Sequence, residues 1–571
     1  MTNFETITTD VLVIGSGGAA LRAILAASDG GAEVTVVVKN EFRKSGATFY
    51  SVAEVGAYNV PDGAGDPNDS PEVFANDILT AAQGMADPRL VDILVTEAES
   101  SLQYLEGKGV HFERENDGYL AFRACFSSKP RSHVLKDHFK PIIKALGQEA
   151  SSRGVKVRDR IMVVGLLVRD GECHGAFALD ADGSPVVIRA KSVIMTTGGA
   201  SQLFAKNLYP SDITGDGYAM AYRAGAQLAN MEFMQAGVSI IDPFINLFGN
   251  YLWDAHPNLT DRSGKPFMPD YLPEGLTAAE VLQEKERHFP FSSSDISRYI
   301  EISIQSAIND GRGTDKGGVF LDFRGCDFDR LLSDTSRSFA RMWPLTHEWY
   351  NEKGIDLYTD PVQITCSAHA INGGLRIDEN AETSLKGLFA SGETAAGPHG
   401  ADRLGGNMAM TCQVFGARGG AAAARRAASR PHQDLGNIAD PHLVFLAGFA
   451  RQGSDTGPRL RAELQEAANR QLLILRNEAG LTQLLAELDE LQQRLKTNTR
   501  ADTPEAFVHL IETDNLIETA RMMARAALAR QESRGSHYRE DIPASSPEFD
   551  RSQIIDRTHP DGGFFAKLES L

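Results

Sequence analysis

The sequence predicts an α/β fold around a parallel sheet, because one local pattern occurs at three distant places along the chain. In each place a short apolar run leads directly into glycines, as it does at the carboxyl end of a buried strand. The glycines that open these turns are Gly15, Gly198 and Gly392. Because glycine carries no Cβ, the backbone there can turn sharply and approach a ligand closely. One doubly wound sheet, interrupted by insertions, accounts for all three turns.

The first of these turns has the spacing of a dinucleotide-binding motif. Its segment VIGSGGAA fits the pattern G-x-G-x-x-G/A, between a strand pattern at residues 11–14 and a helical pattern at residues 21–27. The amide groups and the dipole at the start of such a helix favour the negative charge of a pyrophosphate. The motif therefore predicts a Rossmann-like nucleotide site. The residues predicted to bind the nucleotide here are Gly15, Gly17, Gly18, Ala19 and Ala20.

The second strand of this unit, Val34–Val38, departs from the motif at its end. Such a strand usually finishes at an Asp or Glu that binds the ribose, whereas Lys39 follows in this chain. Residues 41–52 then leave the carboxyl end of the strand. In a parallel sheet that end faces the ligand, so these residues are predicted to line the ligand groove.

The composition indicates a multidomain globular protein. The chain has 571 residues, which is too long for a single core. A net charge of -19 argues against nucleic acid and anionic membranes as partners. The five cysteines are scattered, so neither an iron–sulfur centre nor another metal site is expected within the chain. Free thiols, the absence of a basic leader and the lack of a long apolar run favour a cytoplasmic protein without a membrane span.

Changes of pattern along the chain predict three domains. The strand and glycine patterns assign residues 1–235 and 361–430 to one discontinuous nucleotide-binding domain. Residues 236–360 are rich in Pro, Phe, Trp and Tyr and are interpreted as an inserted capping domain. Leucines at helical spacing follow, so residues 431–571 are interpreted as a C-terminal helical domain with a loop-rich tail.

Taken together, these motifs resemble those of the flavoprotein family of succinate dehydrogenase, fumarate reductase and L-aspartate oxidase. The resemblance spans nearly the whole chain, and its order and spacing make it specific. The matching segments are VIGSGGAA (13–20), Lys39 with a Ser-x-x-Thr segment (45–48), MTTGGA (195–200), TGDGYAMA (214–221), MEFMQ (231–235), GRGTDKGGVFLDF (311–323), SAHAINGGL (367–375), GLFASGETAAGPHGADRLGGN (387–407) and ESRGSHYRED (532–541).

The resemblance implies FAD as the cofactor, with its isoalloxazine ring between the nucleotide-binding and capping domains. In the dehydrogenase branch a histidine that is covalently attached to FAD precedes the threonine matching Thr48, and this chain has Ala47 instead. The FAD is therefore expected to be non-covalent. Asp216 either accepts from a ligand hydroxyl or caps its helix. The further FAD contacts implied by the resemblance are Lys39, Ser45, Ala47, Thr48, Thr197, Gly198, Asp216, Glu393, Arg403, Gly406 and Asn407.

Two residues match the substrate site of the family. His369 precedes the Gly-Gly pair and Arg403 follows His-Gly-Ala-Asp, so both are predicted to be catalytic. Arginine suits an anionic group, because its planar fork donates two parallel hydrogen bonds to a carboxylate. The alternative for His369 is a structural histidine packed under the flavin, and the alternative for Arg403 is a surface ion pair.

The remainder of the dicarboxylate site of the family is altered. Gly237 replaces a histidine, and Gly249 and Asn250 replace a threonine and a glutamate. The arginine that donates the proton in the family aligns with Trp253, and no arginine lies between residues 224 and 261. A different acid or base is therefore expected. The candidates near Trp253 are Tyr251, Asp254 and His256, and Arg298 either faces the site or supports the capping domain.

The sequence thus predicts an FAD-dependent oxidoreductase that transfers a hydride between flavin N5 and a small anionic organic substrate other than succinate or fumarate. One alternative is a relative of the adenylylsulfate reductase α subunit, which works with a ferredoxin-type partner. Another is a flavoprotein that carries electrons without catalysis of its own. An iron–sulfur or ferredoxin-like subunit is a possible electron partner. The substrate, the direction of reaction, the electron acceptor and the oligomeric state are left open by the sequence.

Overall fold

The main sheet of the computed structural model has seven strands and confirms the predicted α/β fold. The structure describes residues 4–50, 53, 55–115, 118–285, 288, 290–450, 452–558, 566–569 and 571. The strands lie in the order Lys156–Asp159, Val34–Val38, Glu5–Ile14, Pro185–Met195, Glu172–Leu179 and Met162–Arg169, and Leu388–Ala390 also pairs with Pro185–Met195.

The strands that precede the three glycine turns are neighbours in this sheet. Ile14 pairs with Met195, and Met195 pairs with Ala390, both in parallel register. Because the carboxyl ends of parallel strands meet at one edge, the turns at Gly15, Gly198 and Gly392 converge there. The three distant motifs therefore form one structural feature, as the sequence predicts.

Two helices of small residues pack closely beside this edge. Gly18–Asp29 follows the first glycine turn, and Asn407–Ala428 follows the third. A Cβ at Gly420 would lie 2.3 Å from the carbonyl oxygen of Ala23, so only glycine permits this separation of the helices. A third helix, Lys140–Ser152, packs against Gly18–Asp29.

Further elements complete the region before the capping domain. A three-stranded sheet pairs Ser132–Leu135 with Gly56–Asn59 on one side and Ala121–Phe122 on the other. Arg114–Glu115 and Gly118–Tyr119 form a short hairpin. The helices of this region are Pro71–Ala82, Pro88–Thr96, Ala98–Gly107 and Asp216–Arg223, with a 3₁₀ turn at Ser201–Leu203.

The capping region is built on a five-stranded antiparallel sheet. Its strands lie in the order Asn246–Leu247, Met234–Asp242, Val362–Ile371, Val319–Asp322 and Asn258–Thr260. The sheet includes residues on both sides of the sequence boundaries at 236 and 361, so a division by sequence alone separates strands that pair. Its helices are Ala278–Lys285, Tyr299–Asn309, Phe328–Ser333 and Ser338–Asn351, with 3₁₀ turns at Asn250–Ala255, Met268–Asp270 and Ile296–Arg298.

The C-terminal region is helical and ends in strands. Its helices are Asp440–Ala447, Gly457–Gln471, Glu478–Thr497 and Pro504–Ala529. The buried face of the third helix consists of Leu481, Leu484, Leu488, Leu491 and Leu495. The tail pairs with the nucleotide-binding region, since a second five-stranded sheet has the order Ala395–Ala396, Gly374–Arg376, Leu228–Ala229, Ser552–Ile555 and Ala566–Glu569.

Within the described residues, no helix is both long enough and apolar enough to cross a membrane.

Candidate active site

A first cavity of about 150 Å³ lies at the carboxyl edge of the main sheet, and we call it the nucleotide cavity. It is lined by the three glycine turns and by the first turn of Gly18–Asp29. The cap residue Gly17 carries no side chain that accepts from the first turn of this helix, and such a helix start favours a bound anion. Gly15 has a φ of 117°, and a Cβ there would lie 2.4 Å from the carbonyl oxygen of Thr196. The motif residues thus form a cradle that suits a pyrophosphate.

The loop at residues 45–48 closes this cradle. Thr48 Oγ1 accepts a hydrogen bond from the amide of Gly18 at 3.2 Å, and Ser45 Oγ lies 3.3 Å from Ser16 Oγ. Ala47 and Thr48 line both the nucleotide cavity and a second cavity next to it. The loop therefore marks the junction of the two cavities, which suits an extended ligand that occupies both.

Lys39 lines the nucleotide cavity but is held by acidic side chains. Its Nζ lies 2.9 Å from Asp216 Oδ2 and 2.6 Å from Glu512 Oε1, and it donates to Thr214 Oγ1 at 2.7 Å. Burial opposes the charge of Lys39, but the two carboxylates outweigh it and raise the pKa of its ammonium. Asn515 donates to Asp216 Oδ1, so Asp216 bonds to Lys39 and the C-terminal region rather than capping its own helix.

Glu393 is buried between two backbone segments of the nucleotide cavity. Its Oε1 accepts from the amide of Ile371 at 3.1 Å. A Cβ at Gly199 would lie 2.2 Å from the same oxygen, so the carboxyl group packs directly on that glycine. Burial raises the pKa of Glu393 to about 7. Nearby, Ser391 Oγ is buried without a hydrogen-bond partner in the described part of the chain, which leaves a polar atom for a ligand.

The other predicted FAD contacts divide between the two cavities. Thr197 and Gly198 line the nucleotide cavity, whereas Gly406 lines the second cavity. Asn407 is fully buried at the start of its helix, where its Oδ1 accepts from Asn59 Nδ2 at 2.5 Å. Asn407 is not among the lining residues of either cavity, so it supports the helix start rather than facing the open space.

The second cavity, of about 200 Å³, contains Arg403, and we call it the substrate cavity. Arg403 is 5% exposed, and its Nη1 donates to the carbonyl oxygen of Leu404 at 3.2 Å. Its Nε has no hydrogen-bond partner among the described residues, and no carboxylate of theirs forms an ion pair with it. Among the described residues that line this cavity, Arg403 alone carries a charged side chain. A buried cation without a protein counter-ion is suited to bind an anion.

The loop that carries Arg403 is fixed by three remote segments. Ala401 and Asp402 donate their amides to the end of the helix Pro71–Ala82. Gln235 Nε2 donates to the carbonyl oxygen of Arg403 at 3.0 Å, and Ser536 Oγ donates to the carbonyl oxygen of Ala401 at 3.0 Å. The position of this arginine therefore depends on residues more than 100 positions away in the sequence.

His369 faces the same cavity as Arg403. Its ring stacks on Tyr209 at a centroid distance of 5.8 Å, and its Nδ1 is buried without a partner in the described residues. Burial, with the nearby charge of Arg403, lowers the pKa of His369 to about 3. The imidazole is therefore neutral at physiological pH. It can donate or accept one hydrogen bond but adds no second positive charge.

Some of the altered cap positions line the substrate cavity, and one lies in the core. Gly249, Asn250 and Tyr251 line the substrate cavity, and the hydroxyl of Tyr251 lies 2.6 Å from Thr346 Oγ1. Trp253 is fully buried and packs on Phe248 at 5.5 Å, outside the cavity lining. Trp253, which the sequence comparison matches to the family's arginine, is therefore part of the core.

Two of the three predicted proton-transfer candidates lie outside the substrate cavity. Asp254 forms an ion pair with Arg337 in the capping region. His256 is exposed at the end of its 3₁₀ turn. Arg298 donates to the carbonyl oxygens of Ser293 and Asp295, so it supports the cap locally. The structure brings Tyr251 together with Arg403 and His369, but not Asp254, His256 or Arg298.

Most of the apolar wall of the substrate cavity is not predicted by the sequence. These side chains come from the short sheet, from the helix Lys140–Ser152 and from the cap. Their helix and strand periodicity predicts burial, but no local signal indicates that these segments meet. The wall residues with large apolar side chains are Phe122, Phe139, Ile142, Leu247, Phe248 and Tyr251.

Comparisons with known proteins agree with this geometry. The family model "FAD binding domain" matches residues 10–408, and the model "Fumarate reductase flavoprotein C-term" matches residues 461–558. The chain belongs to the succinate dehydrogenase, fumarate reductase and L-aspartate oxidase family of flavoproteins. Its cofactor is FAD, and it is an FAD-dependent oxidoreductase. The cradle, the uncapped helix and the two joined cavities fit this cofactor.

Among curated proteins, the chain is 33% identical to a fumarate reductase (CoM/CoB) polypeptide of Methanothermobacter marburgensis, over 96% of this chain and 97% of that protein. It is 29% identical to L-aspartate oxidase of Synechocystis, over 96% and 97% of the two chains. Among solved structures, E. coli quinol fumarate reductase FrdA has a TM-score of 0.82 at 26% identity, covering 100% of this chain and 97% of that one.

Adenylylsulfate reductase from Archaeoglobus fulgidus has the same fold, with a TM-score of 0.75 at 19% identity over 99% of this chain and 96% of that chain. At this identity the similarity concerns the fold alone.

Proposed function

We propose that the protein transfers a hydride between FAD and a small organic anion that is held by Arg403. The observation that carries the proposal is the buried guanidinium of Arg403, which faces the substrate cavity without a carboxylate partner among the described residues. An arginine in this position gains a charge-assisted, bidentate contact when a carboxylate or similar anion binds. Bound FAD supplies the redox chemistry, as the carrier of the two electrons.

The protein residues then have distinct roles in this proposal. Arg403 orients the anionic group, and His369 contributes one neutral hydrogen bond beside it. Tyr251 is the remaining cap candidate for the accompanying proton, because its phenol lies in the cavity wall. Exclusion of water by the apolar wall strengthens the contact between Arg403 and the anion, since the local dielectric constant is low.

Succinate and fumarate fit this site poorly. Each carries two carboxylates, whereas Arg403 is the one charged side chain in the described lining. His369 stays neutral because its pKa is lowered to about 3. A second carboxylate would be buried without a counter-charge, which costs several kcal/mol. The proposed substrate is therefore an anion other than these two dicarboxylates.

Non-covalent binding of FAD is part of the proposal. Ala47, at the position of the family's attached histidine, has no nucleophilic atom. The thiol that lines both cavities is that of Cys412, and burial raises its pKa to about 12. A protonated thiol is a weak nucleophile, so it does not replace the histidine.

The electrons must leave or reach the flavin through another molecule, and we propose an acidic carrier protein. A groove of about 580 Å³, here called the basic groove, lies behind the loop at residues 45–48. Phe49 lines this groove, while the preceding residue Thr48 lines both cavities. The groove is therefore one residue removed from the flavin site.

The charge of the basic groove contrasts with the net charge of -19 of the whole chain. Four of its cations form no ion pair with the described residues, and Asp137 is the one acidic residue in its described lining. Unpaired charges of one sign attract a partner of the opposite sign and accelerate its association. This supports a ferredoxin-like partner with an acidic face. The four cations are Arg43, Lys136, Lys140 and Lys144.

An anaerobic experiment tests the proposed reaction. The purified yellow protein is mixed with a panel of organic anions, including succinate, L-aspartate, hydroxy acids, unsaturated monocarboxylates and sulfite, and the flavin absorbance is followed. Reduction by an organic monoanion is expected, and Arg403→Gln should lower the rate at limiting substrate by about 100-fold, since a buried charged contact is worth about 2–5 kcal/mol. Reduction by sulfite alone would instead support the chemistry of adenylylsulfate reductase.

The same experiment also separates catalysis from mere electron transport. If no member of the panel changes the flavin spectrum, while a reduced ferredoxin does, the protein is an electron carrier and the proposal is wrong. Arg403→Lys is the matched control, because it keeps the positive charge and removes the planar fork. Its rate should lie between those of the wild type and Arg403→Gln.

A further inference from the structure

We infer that the substrate is a monocarboxylate whose carbon skeleton ends in an apolar or aromatic substituent. This inference rests on the proposed function, because it takes Arg403 as the anchor of the anionic group. It goes further in naming what occupies the remainder of the substrate cavity. It is argued from the apolar side chains that the cap and the short sheet contribute to the cavity wall and from the hydrogen bond that engages the Tyr251 hydroxyl.

The part of the substrate cavity that the flavin occupies can be separated from the part that the substrate occupies. Six residues line both cavities and therefore border the cofactor, and they are Gly18, Ala47, Thr48, Tyr209, Met408 and Cys412. The residues found only in the substrate cavity include the side chains contributed by the short sheet, the start of the helix Lys140–Ser152 and the cap. Arg403 and His369 are in this second set, so the substrate lies among it.

Apart from Asn250, the residues that the cap contributes to the described wall are apolar or aromatic. Phe122 and Tyr251 meet edge to face at 5.9 Å, and Leu247 and Phe248 continue the same surface from the cap. Tyr251 is nearly fully buried, and its ring adds apolar surface to the wall while its hydroxyl lies 2.6 Å from Thr346 Oγ1. Binding carbon atoms against such a surface lowers the free energy of the complex, whereas desolvating a carboxylate there raises it.

The wall is also held rigidly by several elements. Phe122 lies in a strand that pairs with Ser132, and Leu247 pairs with Ser239 in the cap sheet. Tyr251 is tied to the helix Ser338–Asn351 through Thr346. Side chains on paired strands and helices keep their positions better than those on free loops. The apolar wall is therefore preorganised before a ligand binds.

The expected selectivity among ligands follows from the cation Arg403 and from the apolar wall of the same cavity. Each buried methylene contributes about 0.8 kcal/mol, which corresponds to a roughly fourfold gain in affinity. A phenyl substituent should thus improve binding by more than about tenfold over a methyl group. A second carboxylate at the same position should weaken binding, because it would be desolvated against Phe122 and Leu247 without a cation.

The test uses the FAD-loaded protein and two independent readouts. Dissociation constants are measured from ligand-induced changes of the flavin spectrum, and kcat/KM is measured with an artificial dye. The ligands are cinnamate, crotonate and fumarate with their saturated counterparts. Cinnamate is expected to bind most tightly, crotonate about tenfold more weakly, and fumarate most weakly. Fumarate or succinate binding as tightly as the apolar monocarboxylates would overturn the inference, and so would no binding by any of them.

A charge introduced into the wall provides the reciprocal test. Leu247→Arg places a second cation opposite Arg403 and should tighten fumarate binding by about tenfold while weakening cinnamate. Ile245→Arg is the matched control, because Ile245 is 57% exposed two residues away and does not line the cavity. Equal effects of the two variants on fumarate would overturn the inference. If Leu247→Arg does not fold, the affinities of the same ligands are compared between the wild type and Phe122→Leu. Phe122→Leu is then expected to lose affinity for cinnamate selectively, and an unchanged affinity for cinnamate would overturn the inference.

The failure of the inference differs from the failure of the proposed function. Apolar monocarboxylates that bind in the expected order but never change the redox state of the flavin would leave the substrate class intact and contradict the proposed oxidation or reduction. Dicarboxylates that bind best and also reduce the flavin would confirm the oxidoreductase and contradict the apolar substituent.

Discussion

The two halves of the active site differ in how closely they follow their family. In the nucleotide half, the glycine turns, the loop at residues 45–48 and Glu393 occupy the positions that the motifs imply, and they line one cavity. In the cap-facing half, Arg403 and His369 remain, but Trp253 has joined the core and Gly249 and Asn250 replace larger polar groups. If the sequence comparison at Trp253, Gly249 and Asn250 is right, cofactor binding and substrate recognition change independently on one fold.

The two halves also differ electrostatically. The nucleotide half contains a balanced cluster of two carboxylates, Asp216 and Glu512, and two cations, Lys39 and Arg461. The cap-facing half contains Arg403, which has no ion-pair partner among the described residues. Paired charges in a balanced cluster stabilise the folded protein, whereas a buried charge without a counter-ion favours the binding of a ligand of opposite charge. The following variants test this contrast.

The largest expected effect is at Gly15 in the nucleotide half. Gly15→Ala should abolish FAD binding, because its φ of 117° disfavours a side chain and the new Cβ would lie 2.4 Å from a backbone oxygen. The measurement is the flavin absorbance per mole of purified protein. Gly31→Ala is the control, since Gly31 also has a positive φ of 78° but no described atom within 4 Å of the added Cβ. A yellow Gly15→Ala protein would contradict the assigned cradle.

Breaking the balanced cluster should have the next largest effect. Lys39→Met removes the cation that contacts both Asp216 and Glu512 and leaves Arg461 at 3.7 Å from Glu512, so the free energy of unfolding should fall by about 3 kcal/mol near neutral pH. Lys265→Met, at an exposed position of the capping region, should change it little. Chemical denaturation of both variants measures the difference.

The loss at Lys39 should depend on pH. Burial raises the pKa of Glu512, but Lys39, together with His509 and Arg461, outweighs burial and lowers that pKa from 4.5 to about 2. The stabilisation by Glu512 is therefore complete above its ordinary pKa and is lost as the pH falls toward 2. Lys39 has a raised pKa, so its contribution is complete below its ordinary pKa and is lost in strong alkali. The difference in stability between wild type and Lys39→Met should thus shrink in acid, and a constant difference would contradict the ion pairs.

A smaller effect is expected in the basic groove. The double variant Lys140→Glu, Lys144→Glu should slow electron exchange with a plant-type ferredoxin by about tenfold at low ionic strength, because steering by charge is lost. The difference should vanish at high salt. Exchange with a small neutral dye should not change. Lys265→Glu carries the same kind of charge reversal outside the groove, and an equal slowing by Lys265→Glu would exclude docking at this surface.

The smallest effect concerns His369 in the cap-facing half. Because its pKa is lowered to about 3, it stays neutral and should add no pH dependence to anion binding near its ordinary pKa of 6.5. The dissociation constant of crotonate should therefore vary by less than about twofold between roughly pH 5.5 and 8. Tightening in acid that disappears in His369→Gln would show that the anion draws a proton onto this histidine.

Much of the nucleotide half could be predicted from the sequence, because its determinants are local. A glycine that must adopt a positive φ or admit a close backbone contact leaves a visible signal at fixed spacing, as at Gly15 and Gly392. The order of the motifs then indicated the family and the cofactor. The departures at Ala47 and Trp253 were visible for the same reason, since each falls at a defined place in a motif.

The contacts between remote segments could not be predicted in this way. Nothing near Lys39 indicates that Glu512 lies 2.6 Å away, and nothing near His256 indicates that it is exposed while Tyr251 enters the cavity wall. The domain boundaries predicted at residues 236 and 361 also separate strands that pair in one sheet. A strand's own sequence does not indicate which other strand it will pair with.

The sequence by itself determined the α/β fold, the FAD cradle and the survival of Arg403 and His369. Only the tertiary structure decided that Arg403 has no counter-ion in the described chain, that Lys39 has two, and that an apolar wall faces the anion site. The physical reason is that backbone conformation is set within a few residues, whereas charge pairing and cavity shape depend on which distant segments pack together.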